Sequence, residues 1–302
     1  MFATLPVLAA RNAAAAPAKL WQWQGTVFGA DASITLAAAS RNAAEETITA
    51  ARAEMERLEQ IFSLFRSASA LSRLNADGRL DTPPADLVAL LGLSREIHVA
   101  TGGVFDPAIQ PRWLELAQAS ATGDEAPPAG VVGRFSDVHI DDGSVAFTKP
   151  GMALTLNGIA QGYATDKVAY LFSQRGLTDI LVDLGEYRAL GRHPDGRPWR
   201  IARDKVGGQT IDLEAMALAT SEPYGTTLDA AGRLPQMIDP ATGMPAAIWR
   251  RVSVAGPRAA VADALSTVFS IMPADAIAST LAALPAYRAY LTGFDGSDRT
   301  IG

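Results

Sequence analysis

The sequence predicts an α+β fold. Helical and strand patterns alternate along the chain without a regular strand-helix repeat, apolar residues recur at spacings of three and four in some windows and every second residue in others, and no internal repeat is present. A doubly wound parallel sheet would need the repeat that is missing. With 302 residues and 48% hydrophobic content, the chain supplies a sizeable core for one large domain or two ordinary ones.

The first 21 residues, MFATLPVLAARNAAAAPAKLW, are rich in Ala, and no acid precedes Asp31. They resemble the apolar part and small-residue cleavage region of an export signal that lacks its basic start. The expected division is a signal-like or disordered leader at 1–21 and one folded domain at 22–302. The leader points to the periplasm; without export the chain would stay cytoplasmic. No other apolar run reaches the roughly 18 to 20 residues that a membrane-spanning helix needs.

Beyond the leader, the alternation in Ala32-Ser-Ile-Thr-Leu36 predicts a half-buried strand. Asn42 with Glu45 makes a capping-box-like start to a helix whose Ile48, Ala51, Met55, Leu58, Phe62 and Phe65 share one face. Thr82-Pro-Pro opens a second helix carrying Leu87, Leu90, Leu91 and Ile97, which Gly102-Gly103 stops. Residues 118–134 read as an irregular exposed connection, and the Asp-Asp-Gly turn within 139–147 predicts a hairpin. In the centre, Met152–Leu156 reads as a strand, Asn157-Gly158 as a tight turn, 159–174 as a helix and Ile180–Leu184 as a second strand. Such a unit aims free N–H groups at whatever lies before the helix, which suits a phosphate; equally, Gly158 and Gly162 can simply allow close helix packing. Short strands follow at 199–203 and 217–220, and a late helix spans 259–272.

The composition excludes several chemistries. Basic residues number 26 against 32 acidic, without long runs, so nothing favours nucleic acid, whose binding needs a concentrated basic surface. The absence of cysteine removes disulfides, thiolate zinc sites and cysteine nucleophiles. Any metal must be held by oxygen or imidazole, and His98, His139 and His193 are too scattered for a zinc triad.

One charge, Asp263, stands in the otherwise core-like run of residues 259–272. A carboxylate removed from water is costly unless paired, hydrogen-bonded or bound to a metal. Two readings stay open: Asp263 lies on an open helix face against a backbone amide, or it joins Thr267, one turn on, and Ser266 in a hard-cation site of the kind magnesium uses.

Other clusters look expensive for mere packing. They are Ser69-Ala-Leu-Ser-Arg-Leu-Asn75, Thr101-Gly-Gly-Val-Phe-Asp-Pro107, Leu154-Thr-Leu-Asn-Gly-Ile-Ala-Gln-Gly-Tyr-Ala164, Ala219-Thr-Ser221 and Met237-Ile-Asp-Pro-Ala-Thr-Gly243. Each alone fits an ordinary turn or cap, as Asp106-Pro107 and Asp239-Pro240 show. In this order, preceded by Gly25-Thr26 and joined by Leu181-Val-Asp-Leu-Gly185, Pro194-Asp-Gly-Arg-Pro-Trp199 and Ala262-Asp-Ala-Leu-Ser-Thr267, they resemble the FAD:protein FMN transferases of the ApbE family over roughly residues 22 to 300.

The resemblance implies an enzyme that splits FAD with Mg²⁺ and esterifies FMN to a Thr or Ser of an acceptor protein, a membrane-associated redox protein being one candidate, and releases AMP. It implies a metal held by Asp263, Ser266, Thr267 and the Gly158 carbonyl, and FAD contacts at Gln24, Phe65, Val104, Phe105, Asp106, Thr155, Gln161, Ser221 and Ile238. The sequence departs from the family pattern at Gln24, Phe65, Thr155, Asn157, Gln161 and Glu222. It departs most seriously at Gln236, where the family carries a His that acts as proton acceptor. Glutamine takes no proton near neutral pH, and a missing general base costs about 10² to 10⁴ in rate. A weakened FAD- and Mg-binding paralogue serving as flavin carrier, or an FAD pyrophosphatase, is therefore the alternative. The short Leu-Val-Asp-Leu-Gly-Glu stretch at 181–186 resembles the NosX-like subgroup that serves nitrous-oxide-reductase maturation.

Overall fold

The computed structural model describes residues 19–124, 130, 132–141, 143–203 and 209–302. Most of the leader, Asp142 of the hairpin turn and part of the 118–134 connection lie outside the described residues. In chain order the first half contains β1 (Lys19–Val27), β2 (Ala30–Ala38), α1 (Arg41–Phe62), α2 (Ala70–Asp77), β3 (Arg79–Asp81), α3 (Ala85–Ala100), α4 (Gln110–Thr122), β4 (Val138–Ile140) and β5 (Ser144–Phe147). The second half contains α5 (Ala160–Gln174), β6 (Ile180–Asp183), β7 (Tyr187–Leu190), β8 (Trp199–Ala202), β9 (Thr210–Leu213), β10 (Ala217–Ser221), β11 (Ile238–Asp239) and β12 (Met244–Pro245). The chain closes with β13 (Arg251–Gly256), α6 (Ala259–Phe269), α7 (Ala274–Ala282), β14 (Arg288–Thr292) and β15 (Asp298–Ile301).

Eight strands form one sheet in the order β1-β2-β6-β7-β10-β13-β14-β15, and every ladder in it is antiparallel. The α+β expectation holds. Side chains alternate across the sheet, so β10 and β13 feed two cores. Ala219, Val252 and Val254 belong to the main core with α1, α3, α5 and α6. Leu218 and Ala255, one position off, belong to a satellite core under the β8–β9 hairpin, with Trp199, Ile201, Ile211 and Leu213.

Several sequence expectations change. The first helix stops at Phe62, so Phe65 lies beyond the face expected to carry it, and the late helix stops at Phe269 rather than 272. The cap of α1 is Ser40, whose side chain accepts from Ala43 N–H at 3.3 Å, not Asn42; Glu45 pairs with Arg41 instead. The 118–134 segment begins as helix, because α4 runs to Thr122 before Gly123 turns left-handed. Ser69–Asn75 is itself mostly helical, as α2, capped by Ser69. Residues 152–156 form no strand and belong to no sheet. Their backbone is satisfied otherwise: Leu154 N–H donates to Asn75 Oδ1 and Leu154 C=O accepts from Asn75 Nδ2, both at 2.8 Å, and Thr155 N–H donates to Pro107 C=O at 2.9 Å. The alternating pattern reported burial of Met152, Leu154 and Leu156 correctly, but a side-chain amide takes the place of a neighbouring strand.

Candidate functional site

The site forms where α5, α6 and the end of β10 meet. The central glycines divide the two roles that the sequence left open. A Cβ on Gly162 would lie 2.4 Å from Ala259 C=O, so this glycine exists for the close crossing of α5 and α6. A Cβ on Gly158 would instead lie 3.0 Å from Thr267 Oγ1, filling the space between the central turn and the helix hydroxyl. Asp166 on α5 then fixes the start of α6, accepting from Ala259 N–H at 2.9 Å and Ala260 N–H at 3.0 Å. A carboxylate across two free N–H groups caps that helix from a neighbouring one.

Asp263 is not on an open face. It is 3% exposed, and Oδ2 accepts from Gly162 N–H at 3.0 Å, so burial and the backbone amide are both present. Burial pushes its pKa up to about 7, against the Gly162 hydrogen bond and with help from the charge of Asp166. Beside it lies a run of hydroxyls: Ser221 Oγ is 2.8 Å from Ser266 Oγ and 3.4 Å from Thr267 Oγ1, and Ser266 Oγ donates to Asp263 C=O at 3.0 Å. Thr267 is the one α6 residue not fully buried. Gln161 packs its amide on Gly185, where a Cβ would be 2.6 Å from Nε2. Asp263, Ser266, Thr267, Gly158 and Ser221 are thus brought together, while the Gln161 amide lies against Gly185. An all-oxygen set with one carboxylate suits a hard cation such as Mg²⁺, and the narrow space that a Cβ at Gly158 would fill is consistent with it.

The remaining expected residues are placed differently. Gln24 is exposed on β1, and Phe65 is 88% exposed on the α1–α2 loop, where its N–H donates to Ser63 Oγ at 3.1 Å. Val104 and Thr155 are half-buried. Phe105 and Ile238 turn their side chains inward, and Asp106 accepts from Ala108 N–H and Phe135 N–H at 3.0 Å each. Among the described residues Asp106 Oδ2 is left without a hydrogen-bond partner, with Arg134 Nη1 3.8 Å away. Asp106 and Asp239 both act as turn caps, the latter toward Ala241 N–H at 2.9 Å. Gln236 is half-buried, and its N–H donates to Pro223 C=O at 3.1 Å, which ties it two residues beyond Ser221.

Two groups escaped the sequence reading. Arg112, almost fully buried on α4, donates from Nε to Gly243 C=O at 2.8 Å and holds the β11–β12 hairpin. Glu186 is 6% exposed and accepts from Thr220 N–H at 3.0 Å, next to Ser221. Burial and the charge of Asp263 raise its pKa well above the usual carboxylate range. Glu186 lay in a quoted stretch, but alternation along β6 and β7 does not reveal which way a turn residue points.

A model of the ApbE family matches residues 28–291. FAD:protein FMN transferases of Haemophilus influenzae and Chlamydia pneumoniae are 27% and 29% identical to this chain; each alignment covers 70% of it, and 68% and 72% of the respective relative. Among solved structures, the chain resembles the apo flavinyl transferase ApbE of Pseudomonas stutzeri, with a TM-score of 0.82 at 22% identity, covering 94% of this chain and 96% of that one. It also resembles the ApbE protein of Thermotoga maritima, with a TM-score of 0.79 at 22% identity, covering 94% and 97%.

Proposed function

Because the chain belongs to the ApbE family, we propose that it is a magnesium-dependent FAD:protein FMN transferase acting on a Thr or Ser of an acceptor protein. What supports this is the convergence of the buried Asp263 carboxylate, the Ser221, Ser266 and Thr267 hydroxyls and the Gly158 turn on one spot. Asp263, Thr267, Ser266 and the Gly158 carbonyl would hold the cation. Bound Mg²⁺ would neutralise the charge of the FAD diphosphate.

The acceptor hydroxyl attacks the phosphorus on the FMN side. A new phosphoester bond forms, the bridging P–O bond breaks and AMP departs with the bridging oxygen. The hydroxyl proton passes to a non-bridging phosphate oxygen, because the Gln236 amide has no basic lone pair near neutral pH. Phe65 offers an exposed ring face for the flavin, and Gln161 and Ser221 border the diphosphate. Positioning and electrostatics supply most of the rate in such chemistry.

Gln236 also favours a second reading, in which the chain binds FAD and Mg²⁺ but transfers slowly as a flavin carrier. Incubation with FAD, Mg²⁺ and a flavin-acceptor domain separates the two, with covalent FMN read by intact mass and AMP by chromatography. Transfer is expected in the native chain, lost in Asp263→Ala and faster by about 10²-fold in Gln236→His. FAD binding with no covalent product in either the native chain or Gln236→His would sink the transferase and leave the carrier.

A further inference from the structure

Two carboxylates, not one, are buried at the proposed cation site. Asp263 receives a hydrogen bond from Gly162 N–H, and Glu186 from Thr220 N–H. Among the described residues no Lys, Arg or His side chain hydrogen-bonds or ion-pairs with either. Elsewhere, half-buried acids gather more partners. Asp86 gathers Lys167, Arg57 and the Tyr163 hydroxyl, and Asp166 spans two N–H groups of a helix terminus. One backbone N–H each does not offset the cost of two neighbouring buried negative charges.

Glu186 is held in place from both ends. Its carboxylate bonds Thr220, whose neighbour Ser221 touches Ser266 and Thr267. Its carbonyl accepts from Thr165 Oγ1 at 3.3 Å, and the same hydroxyl donates to Gln161 C=O at 2.9 Å. The turn that carries Glu186 is thereby tied to the first turn of α5 and to the edge of the hydroxyl cluster. Placement this constrained, beside a second acid and without a basic partner, answers to a charge that arrives from outside the chain.

We infer that Glu186 supplies the second negative charge of the cation site, so that a divalent ion there is balanced by two protein carboxylates, Asp263 and Glu186. This rests on the cation site proposed above. It adds an anionic residue from the β6–β7 turn to a donor set otherwise drawn from α6 and the central turn. Such a site retains a divalent cation before the FAD diphosphate arrives, whereas a single carboxylate would depend on substrate phosphate to complete the charge balance.

The test is equilibrium binding of Mn²⁺, followed by the electron paramagnetic resonance signal of the free ion, with and without FAD. The proteins are the native chain, Glu186→Gln, Glu186→Asp and Asp263→Asn. Glutamine keeps the acceptor for Thr220 N–H but deletes the charge; aspartate keeps the charge. The expected result is a tenfold or greater loss of Mn²⁺ affinity in Glu186→Gln without FAD, a smaller loss in Glu186→Asp, and a smaller Mn²⁺-induced rise in melting temperature for Glu186→Gln than for the native chain. Native-like Mn²⁺ affinity in Glu186→Gln, with Asp263→Asn impaired, overturns the inference and leaves the cation site standing. Equal losses in Glu186→Gln and Glu186→Asp overturn it as well, since charge would then be irrelevant. A native chain that takes up no Mn²⁺ under either condition overturns both the site and the inference.

Discussion

Single atoms separate function from packing at this site. Gly158 and Gly162 are four residues apart and equally free of side chain, yet a methyl group at one meets a hydroxyl tip and at the other a helix backbone. Gly162→Ala should therefore destabilise the fold by about 3 kcal/mol in urea unfolding, at the upper end of the usual overpacking cost, because Ala259 C=O cannot move without breaking the start of α6. Gly158→Ala should cost about 1 kcal/mol or less and weaken Mn²⁺ binding at least tenfold, since Thr267 can yield but the space between it and the turn is lost. Similar stability losses with unchanged Mn²⁺ affinity in both would refute this division. Both glycines were visible in the sequence. Their different jobs were not, because each is defined by a residue about a hundred positions away.

At the scale of elements, Asp86 at the start of α3 ties three helices together. It accepts from Tyr163 O–H at 2.7 Å and Lys167 Nζ at 2.8 Å on α5, and from Arg57 Nη2 at 2.6 Å on α1. Burial alone would raise its pKa, but the Lys167, Tyr163 and Arg57 hydrogen bonds prevail and hold it at about 2. A folded-state value below the unfolded one means that this contribution is present above the unfolded pKa and fades as the pH falls from about 4 through about 2. The stability gap between the native chain and Asp86→Asn, from melting curves between about pH 6 and pH 2.5, should narrow across that window; a constant gap contradicts it. Helix-forming patterns were readable here, since spacings of three and four marked α1 and an apolar face marked α3, while α5 and α6 stood out as helical runs. The strand expected at 152–156 was not real, because alternation reports which side chains are buried and is silent on whether a backbone partner is a strand or Asn75.

At the scale of the molecule, the eight-stranded antiparallel sheet carries a core on each face, and the proposed chemistry lies on one of them. Trp199 anchors the satellite core on the other face, packed edge-on against His193 at 4.9 Å between ring centroids. Trp199→Ala should cost about 3 kcal/mol or more of folding stability, as large aromatic truncations do. It should leave Mn²⁺ affinity within about twofold, because the sheet separates the two cores. A matching loss of metal binding in the still-folded variant would show that the faces are coupled. No helix among the described residues is long and apolar enough to cross a membrane.

Local pattern in the sequence determined the fold class, most helices, the paired strands near 32–36, 180–184 and 217–220, and the presence of an unusual acid in a buried helix. It also carried the ordered clusters that mark the family. The tertiary structure alone decided that Asp263 meets Gly162, that Asp166 caps the helix of Asp263, that Asn75 replaces a strand, and that Glu186 stands beside the same site. The physical reason is range: periodicity and capping are set by neighbours within one or two turns, whereas charge balance and backbone satisfaction depend on groups 21 to 101 positions apart in these contacts.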